Sequence, residues 1–171
     1  MNTSMKHKAA FFDRDGTLIK DVPYLSRCQD VELLPEAVRI AQELSNNGYL
    51  LFVITNQSGV ARGLYDEACV HAIHAHIAAL FAQHGVTFTR FYFCPHHPTE
   101  AKVEKYRINC ACRKPKPGLI IQAAHDYHLD LTQSVMLGNE ERDVQAGRAA
   151  GCCAYDITKL FTSSPEHCAK L

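Results

Sequence analysis

Short apolar runs that stop abruptly at polar residues, with helical patterns between them, constrain this chain most strongly. Lys8 to Asp13 and Tyr49 to Thr55 (YLLFVIT) are too short and too uniformly apolar for amphipathic helices, and read as strands covered on both faces. Phe88 to Phe93, Ser134 to Leu137 and Cys153 to Ile157 continue the series. Between them, Glu36 to Asn47 follows Pro35, sets Ala37, Ile40, Ala41 and Leu44 on one face, and stops at Gly48. Asp66 is placed to cap a long helix whose stripe is Val70, Ile73, Ile77, Leu80 and Phe81, ending at Gly85. Pro117 opens a third helix, and Glu141 to Ala150 forms a fourth before Gly151. This alternation predicts a doubly wound α/β fold with a parallel sheet and right-handed crossovers. A length of 171 residues fits one domain, 1–171, with no internal repeat or linker.

Charge narrows the function classes. Lys+Arg and Asp+Glu both number 18, so no global basic field exists to hold nucleic acid, and any cationic site must be local. The opening MNTSMKHKAAFF has only a four-residue apolar run before Asp13, and no stretch approaches the roughly 18 consecutive apolar residues of a membrane span. No membrane partner is therefore expected, and the cytoplasm is the expected compartment. The eight cysteines fit that compartment as thiols and metal ligands: Cys152 and Cys153 are adjacent, and Cys94, Cys110 and Cys112 share one segment with histidines.

Two connections are longer than a minimal fold needs, Ile19 to Leu34 and Cys94 to Lys116. Loops of that length cover active sites or carry their own staple. In the second, Cys94, His96 or His97, Cys110 and Cys112 offer four zinc-type ligands in two close pairs. Four protein ligands would close the coordination sphere, which makes such a zinc structural, holding Arg113 and Lys114 in place.

Ligands of open parallel sheets bind beyond the carboxyl ends of the strands, where Asp13, Asp15, Thr55, Asn56, Asn139 and Asp143 all fall. In DRDGT, one carboxylate could attack phosphorus while its neighbour hands a proton to the leaving alcohol, and Mg²⁺ would suit these oxygen ligands. Alone, DRDGT reads equally as an acidic turn, VITNQSG as a capped turn, and CRKPKPG as a solvated surface. Their recurrence in order, each at a strand's carboxyl end, favours a phosphate site.

DRDGT, ITNQSG, the lysine of CRKPKPG and the acidic segment after MLG resemble the four motifs of the haloacid dehalogenase superfamily of phosphatases. QSGVARG, and CPHHP followed by CACRKPKPG, resemble within it the heptose 1,7-bisphosphate and histidinol phosphatase family, over about Ala9 to Gly151. The resemblance implies a Rossmann-like domain without a large cap and with a zinc-stapled loop at 94–116. It implies Asp13 as nucleophile, Asp15 as general acid and base, and Thr55, Asn56 and Lys114 on the phosphate. Mg²⁺ is implied on Asp13 and Asp15, with Asn139 as a third ligand and Asp143 in support, and zinc on Cys94, His96, Cys110 and Cys112. The substrate implied is a small sugar phosphate, a heptose 1,7-bisphosphate cleaved at C7. Arg62, Arg113 and Lys116 would then meet the second phosphate, whereas histidinol phosphate would call for carboxylates.

The chain departs from the family pattern where MLGNEERD puts Asn139 in place of an aspartate. A missing ligand charge admits a further reading, a non-catalytic binding domain. The segment after Ile157 is short, so the last sheet edge is expected to be covered by this tail or by another subunit; a monomer is expected and a dimer left open. His71, His74 and His76 do not converge at about 100° per residue, and are expected on or near the surface. Cys152 and Cys153 are expected inside a core strand.

Overall fold

The computed structural model describes residues 6–161. Five parallel strands, β1 (Ala9–Phe12), β2 (Leu50–Asn56), β3 (Arg90–Cys94), β4 (Val135–Gly138) and β5 (Cys153–Asp156), form one sheet in the order β3-β2-β1-β4-β5. The helices are α1 (Pro35–Asn46), α2 (Glu67–Ala82), α3 (Gly118–Tyr127), α4 (Glu141–Ala150) and the short α5 (Ile157–Phe161). Pro35 starts α1, where its missing N–H costs nothing, and Asp66 caps α2 by accepting from Cys69 N at 2.8 Å.

Strand alternation divides the core into two layers. Ala10, Phe12, Leu51, Val53, Val135 and Leu137 face α1, α2 and α5. Ala9, Phe11, Phe52, Ile54 and Met136 face α3 and α4. Both faces of the central strands are thus covered, which is why those strands are continuous apolar runs. None of the described helices is long and apolar enough to cross a membrane.

Three placements differ from the sequence expectations. His74 is 4 % exposed and stacked against Phe91 and Phe93, because β3 lies beneath α2; Leu80 is only half-buried. Cys152 is buried but Cys153 is exposed, since β5 is an edge strand with one face left uncovered. The short helix α5 sends Ile157 and Leu160 into the core beside β4, and the expected cover from the rest of the tail lies outside the described residues.

β2 and β3 lie to one side of β1, and β4 and β5 to the other. The strand order therefore reverses between β1 and β4. A crevice opens there at the carboxyl ends, the usual ligand position in such sheets.

Candidate active site

The chain leaves β1 at Asp13, whose amide still donates to Leu137 O across the crevice at 2.9 Å. It then turns at once, with Leu18 N donating to Arg14 O at 2.9 Å and Gly16 at φ +71°. A Cβ at residue 16 would lie 2.5 Å from Asn139 Nδ2, so the glycine serves both the turn and the approach of the β4 loop. Beyond the turn, Ile19 pairs with Leu33, and residues 21–25 fold back over the crevice.

Lys114 reaches the same point from the long β3–α3 connection. Its ammonium, 3 % exposed, donates to Asp13 Oδ1 at 2.7 Å and Ile54 O at 2.8 Å, and lies 2.7 Å from Asp143 Oδ1. Asp143, on the first turn of α4, is fully buried and accepts from Glu140 N through Oδ2 at 3.0 Å. Burial pushes its carboxyl up, Lys114 pulls it down, and the charge of Asp13 pushes it up again. Removing one member of such a buried triad strands an uncompensated charge, at a cost of about 3–5 kcal/mol. Asn56 secures the lysine's backbone: its Oδ1 accepts from Lys114 N at 3.0 Å and its Nδ2 donates to Lys114 O at 3.1 Å.

Asp15 stands beside this triad in a second network. The Arg14 guanidinium, 1 % exposed, donates to Asp15 Oδ1 at 3.0 and 3.1 Å and to Oδ2 at 3.2 Å. Gln57 Nε2 donates to Asp15 Oδ2 at 2.9 Å and to Thr55 Oγ1 at 3.0 Å, while Gln57 Oε1 accepts from Arg14 at 2.9 Å and from Tyr65 OH at 3.0 Å. Burial raises the Asp15 carboxyl above the ordinary carboxylate range, opposed by Arg14 and assisted by Asp13.

These groups line a cavity of about 360 Å³. Of the site residues expected from sequence, Asp13, Asp15, Thr55, Asn56 and Lys114 line it. Arg62 does not: it pairs with Glu100 and lies over the Tyr24 ring. Arg113 donates to His96 O at 3.3 Å, and Lys116 to Asn109 Oδ1 at 2.6 Å and Cys110 O at 3.0 Å. Of the cations expected to meet a second phosphate, Arg113 and Lys116 are thus held by their own loop and Arg62 by Glu100. Arg142 lines the cavity instead, 2.5 Å from Glu140, together with Asp21. Asn139 accepts from Thr17 Oγ1 at 3.1 Å behind the Gly16 turn. Arg14, Gln57, Tyr65 and Arg142 were not singled out from sequence; Arg14, Gln57 and Arg142 lie inside the quoted motifs, while Tyr65 carries no local signal.

Cys94, His96, Cys110 and Cys112 bring one ligand atom each to within 4.8 Å of one another. Cys112 Sγ is 3.1 Å from both Cys94 Sγ and Cys110 Sγ and 3.4 Å from His96 Nδ1. Hydrogen bonding from Cys94, with further contributions from Cys110 and His96, pulls the Cys112 thiol down to about 5. Three thiols and an imidazole could hold zinc, and Cys112 lies two residues before Lys114. His97 takes another job: its Nδ1 accepts from Glu100 N at 3.0 Å. The cavity itself offers carboxylate oxygens from Asp13, Asp15 and Glu140, which suit a hard cation such as Mg²⁺, whereas Asn139, expected as a ligand, does not line it and lines a neighbouring cavity with Glu140.

Residues 8–169 match the family model described as polynucleotide kinase 3 phosphatase. A Burkholderia mallei protein named D-glycero-alpha-D-manno-heptose-1,7-bisphosphate 7-phosphatase is 36 % identical over 166 residues, 94 % of this chain and 87 % of that one. An Escherichia coli K12 protein named for the beta anomer is 38 % identical over 142 residues, 83 % of this chain and 74 % of that one. The structure of D,D-heptose 1,7-bisphosphate phosphatase from B. bronchiseptica, complexed with magnesium and phosphate, superposes with a TM-score of 0.75 at 34 % identity, covering 86 % of this chain and 78 % of that one. The chain belongs to the polynucleotide kinase 3 phosphatase family, and the relatives it resembles are heptose bisphosphate phosphatases of the haloacid dehalogenase type.

Proposed function

We propose that this chain hydrolyses the C7 phosphate of D-glycero-D-manno-heptose 1,7-bisphosphate through a phosphoaspartate on Asp13. The observation that carries this reading is the buried Lys114 ammonium held between Asp13 and Asp143 at the reversal of strand order. Lys114 occupies Asp13 Oδ1, leaving Oδ2 to attack phosphorus. As the P–O bond to the sugar breaks, Asp15 gives its proton to the departing oxygen, which leaves as the alcohol. The Asp15 carboxylate then takes a proton from the water that attacks phosphorus, releasing inorganic phosphate and restoring Asp13. Thr55 is suited to hold a phosphate oxygen, while the Lys114 ammonium, its three donors spent on Asp13, Ile54 O and Asp143, would contribute charge, with Asn56 fixing its backbone. Mg²⁺ held by Asp13, Asp15 and Asn139 would supply charge neutralisation on the phosphoryl oxygens. Zinc on the Cys94–Cys112 cluster would hold the loop that delivers Lys114.

The equality of basic and acidic residues supports a small substrate over a polynucleotide, and the reading takes the chain as a cytoplasmic monomer. Arg142, the exposed cation at the cavity, is suited to the second phosphate. Asp21 and Glu140, which also line the cavity, would instead suit an amine, as in histidinol phosphate. Phosphate release measured on both anomers of the heptose bisphosphate and on histidinol phosphate separates the two. The expected result is at least about a tenfold preference in kcat/KM for one bisphosphate anomer, equivalent to roughly 1.4 kcal/mol. A preference for histidinol phosphate would reverse the assignment.

A further inference from the structure

We propose that Gln57 is a positioning residue that aims two groups at once, the Asp15 carboxyl at the leaving oxygen and the Thr55 hydroxyl proton at the phosphate, with Arg14 and Tyr65 locking its amide. The inference rests on the phosphatase reading above and deepens it.

The Gln57 side chain is buried, and a primary amide has two N–H donors and two carbonyl lone pairs. Both donors are used, on Asp15 Oδ2 and Thr55 Oγ1, and both acceptor positions are filled, by Arg14 and Tyr65 OH. Flipping the amide would turn its oxygen toward the Asp15 carboxylate and its N–H groups toward the guanidinium. Both contacts would become repulsive in a buried setting, so the surroundings admit one orientation.

Each bond has a consequence for the reaction. Thr55 accepts from Gln57, so its own proton cannot point there and is left to donate into the cavity that Thr55 lines. Asp15 is gripped from two sides, by the guanidinium across both oxygens and by Gln57 on Oδ2, which fixes the plane and position of the carboxyl. Tyr65 reaches Gln57 because residue 59 is glycine: a Cβ there would lie 2.2 Å from Tyr65 Cζ. Burial raises the Tyr65 phenol to about 12, so it remains a donor across the working range.

The test uses the full chain with Mg²⁺ and compares kcat/KM on the heptose bisphosphate with that on p-nitrophenyl phosphate. The sugar leaves as a basic alkoxide and needs the Asp15 proton; the nitrophenol is acidic and does not. Because kcat/KM covers only the steps through P–O cleavage, hydrolysis of the phosphoaspartate does not enter. Gln57→Met should lower the sugar-phosphate value about 10³-fold and the p-nitrophenyl value about tenfold, the latter through Thr55. Tyr65→Phe, which keeps the ring and loses one hydrogen bond, should lower the sugar-phosphate value about tenfold and the other less than twofold. If Gln57→Met does not fold, Tyr65→Phe carries the test. Equal losses on both substrates, or no loss in Tyr65→Phe, would overturn the positioning role while leaving the phosphatase reading intact. A wild-type chain inactive on both substrates would overturn the phosphatase reading itself, and this inference with it.

Discussion

Asn139 presents an amide oxygen in a position where a carboxylate would add a full negative charge. Hard cations depend strongly on ligand charge, so Asn139→Asp should lower the Mg²⁺ concentration for half-maximal activity by about tenfold. The new carboxylate can still accept from Thr17 Oγ1, so the turn at Gly16 is kept. An unchanged Mg²⁺ titration in an active enzyme would assign the metal to Glu140, which lines the cavity. His74 makes a different statement, about stability. Its ring is buried between aromatic side chains, its Nε2 has no hydrogen-bond partner, and burial holds it down to about 3 from 6.5. Between those two values the unfolded chain binds a proton that the native chain refuses, so this residue's contribution is intact above 6.5 and declines as pH falls. His74→Leu should therefore flatten the stability profile below pH 6.5 by up to about 1.4 kcal/mol per pH unit. Urea midpoints of both proteins at pH 7 and pH 5 check this; parallel losses would contradict it. Helix geometry alone separated His71 from His76, but the burial of His74 depended on β3 lying beneath α2, which a periodicity cannot report.

Among the elements, the strands and helices were legible because each run is short, apolar and bounded by turn or cap residues such as Pro35, Asp66, Gly85 and Gly151. The burial of β5 was not, because edge or centre is set by strand order, and Cys153 proved exposed for that reason. The convergence of Cys94, His96, Cys110 and Cys112 in the 94–116 connection was legible from their ligand types, while the targets of its cations were not: Arg113 and Lys116 turn back onto their own loop. That loop delivers Lys114 only if the chain at Cys112 is held. Cys112→Ser should lose bound zinc by elemental analysis and raise KM about tenfold, through displacement of Lys114 two residues on. Retained zinc with unaltered KM would show that the cluster does not set the site.

At the scale of the molecule, the site exists because four distant segments converge at one reversal of strand order. Residues 13–17 arrive from β1, Thr55–Gln57 from β2, and Asn139–Asp143 from β4, and the 94–116 loop inserts Lys114 among them. The motif residues could be placed at strand ends from sequence, since parallel sheets present ligands there. Their partners could not: the Lys114–Asp143 contact joins residues on different elements, and Tyr65 reaches Gln57 only through the space left at Gly59. The central claim is that Asp13 is the nucleophile of a phosphatase. It is tested most directly by inorganic phosphate release from heptose 1,7-bisphosphate with Mg²⁺, comparing the wild-type chain with Asp13→Asn of unchanged circular dichroism. The account predicts one phosphate per substrate molecule from the wild type and a loss of at least about 10³-fold in the variant. Turnover by Asp13→Asn at a near-normal rate, or none by the wild type on any phosphate ester, would contradict it.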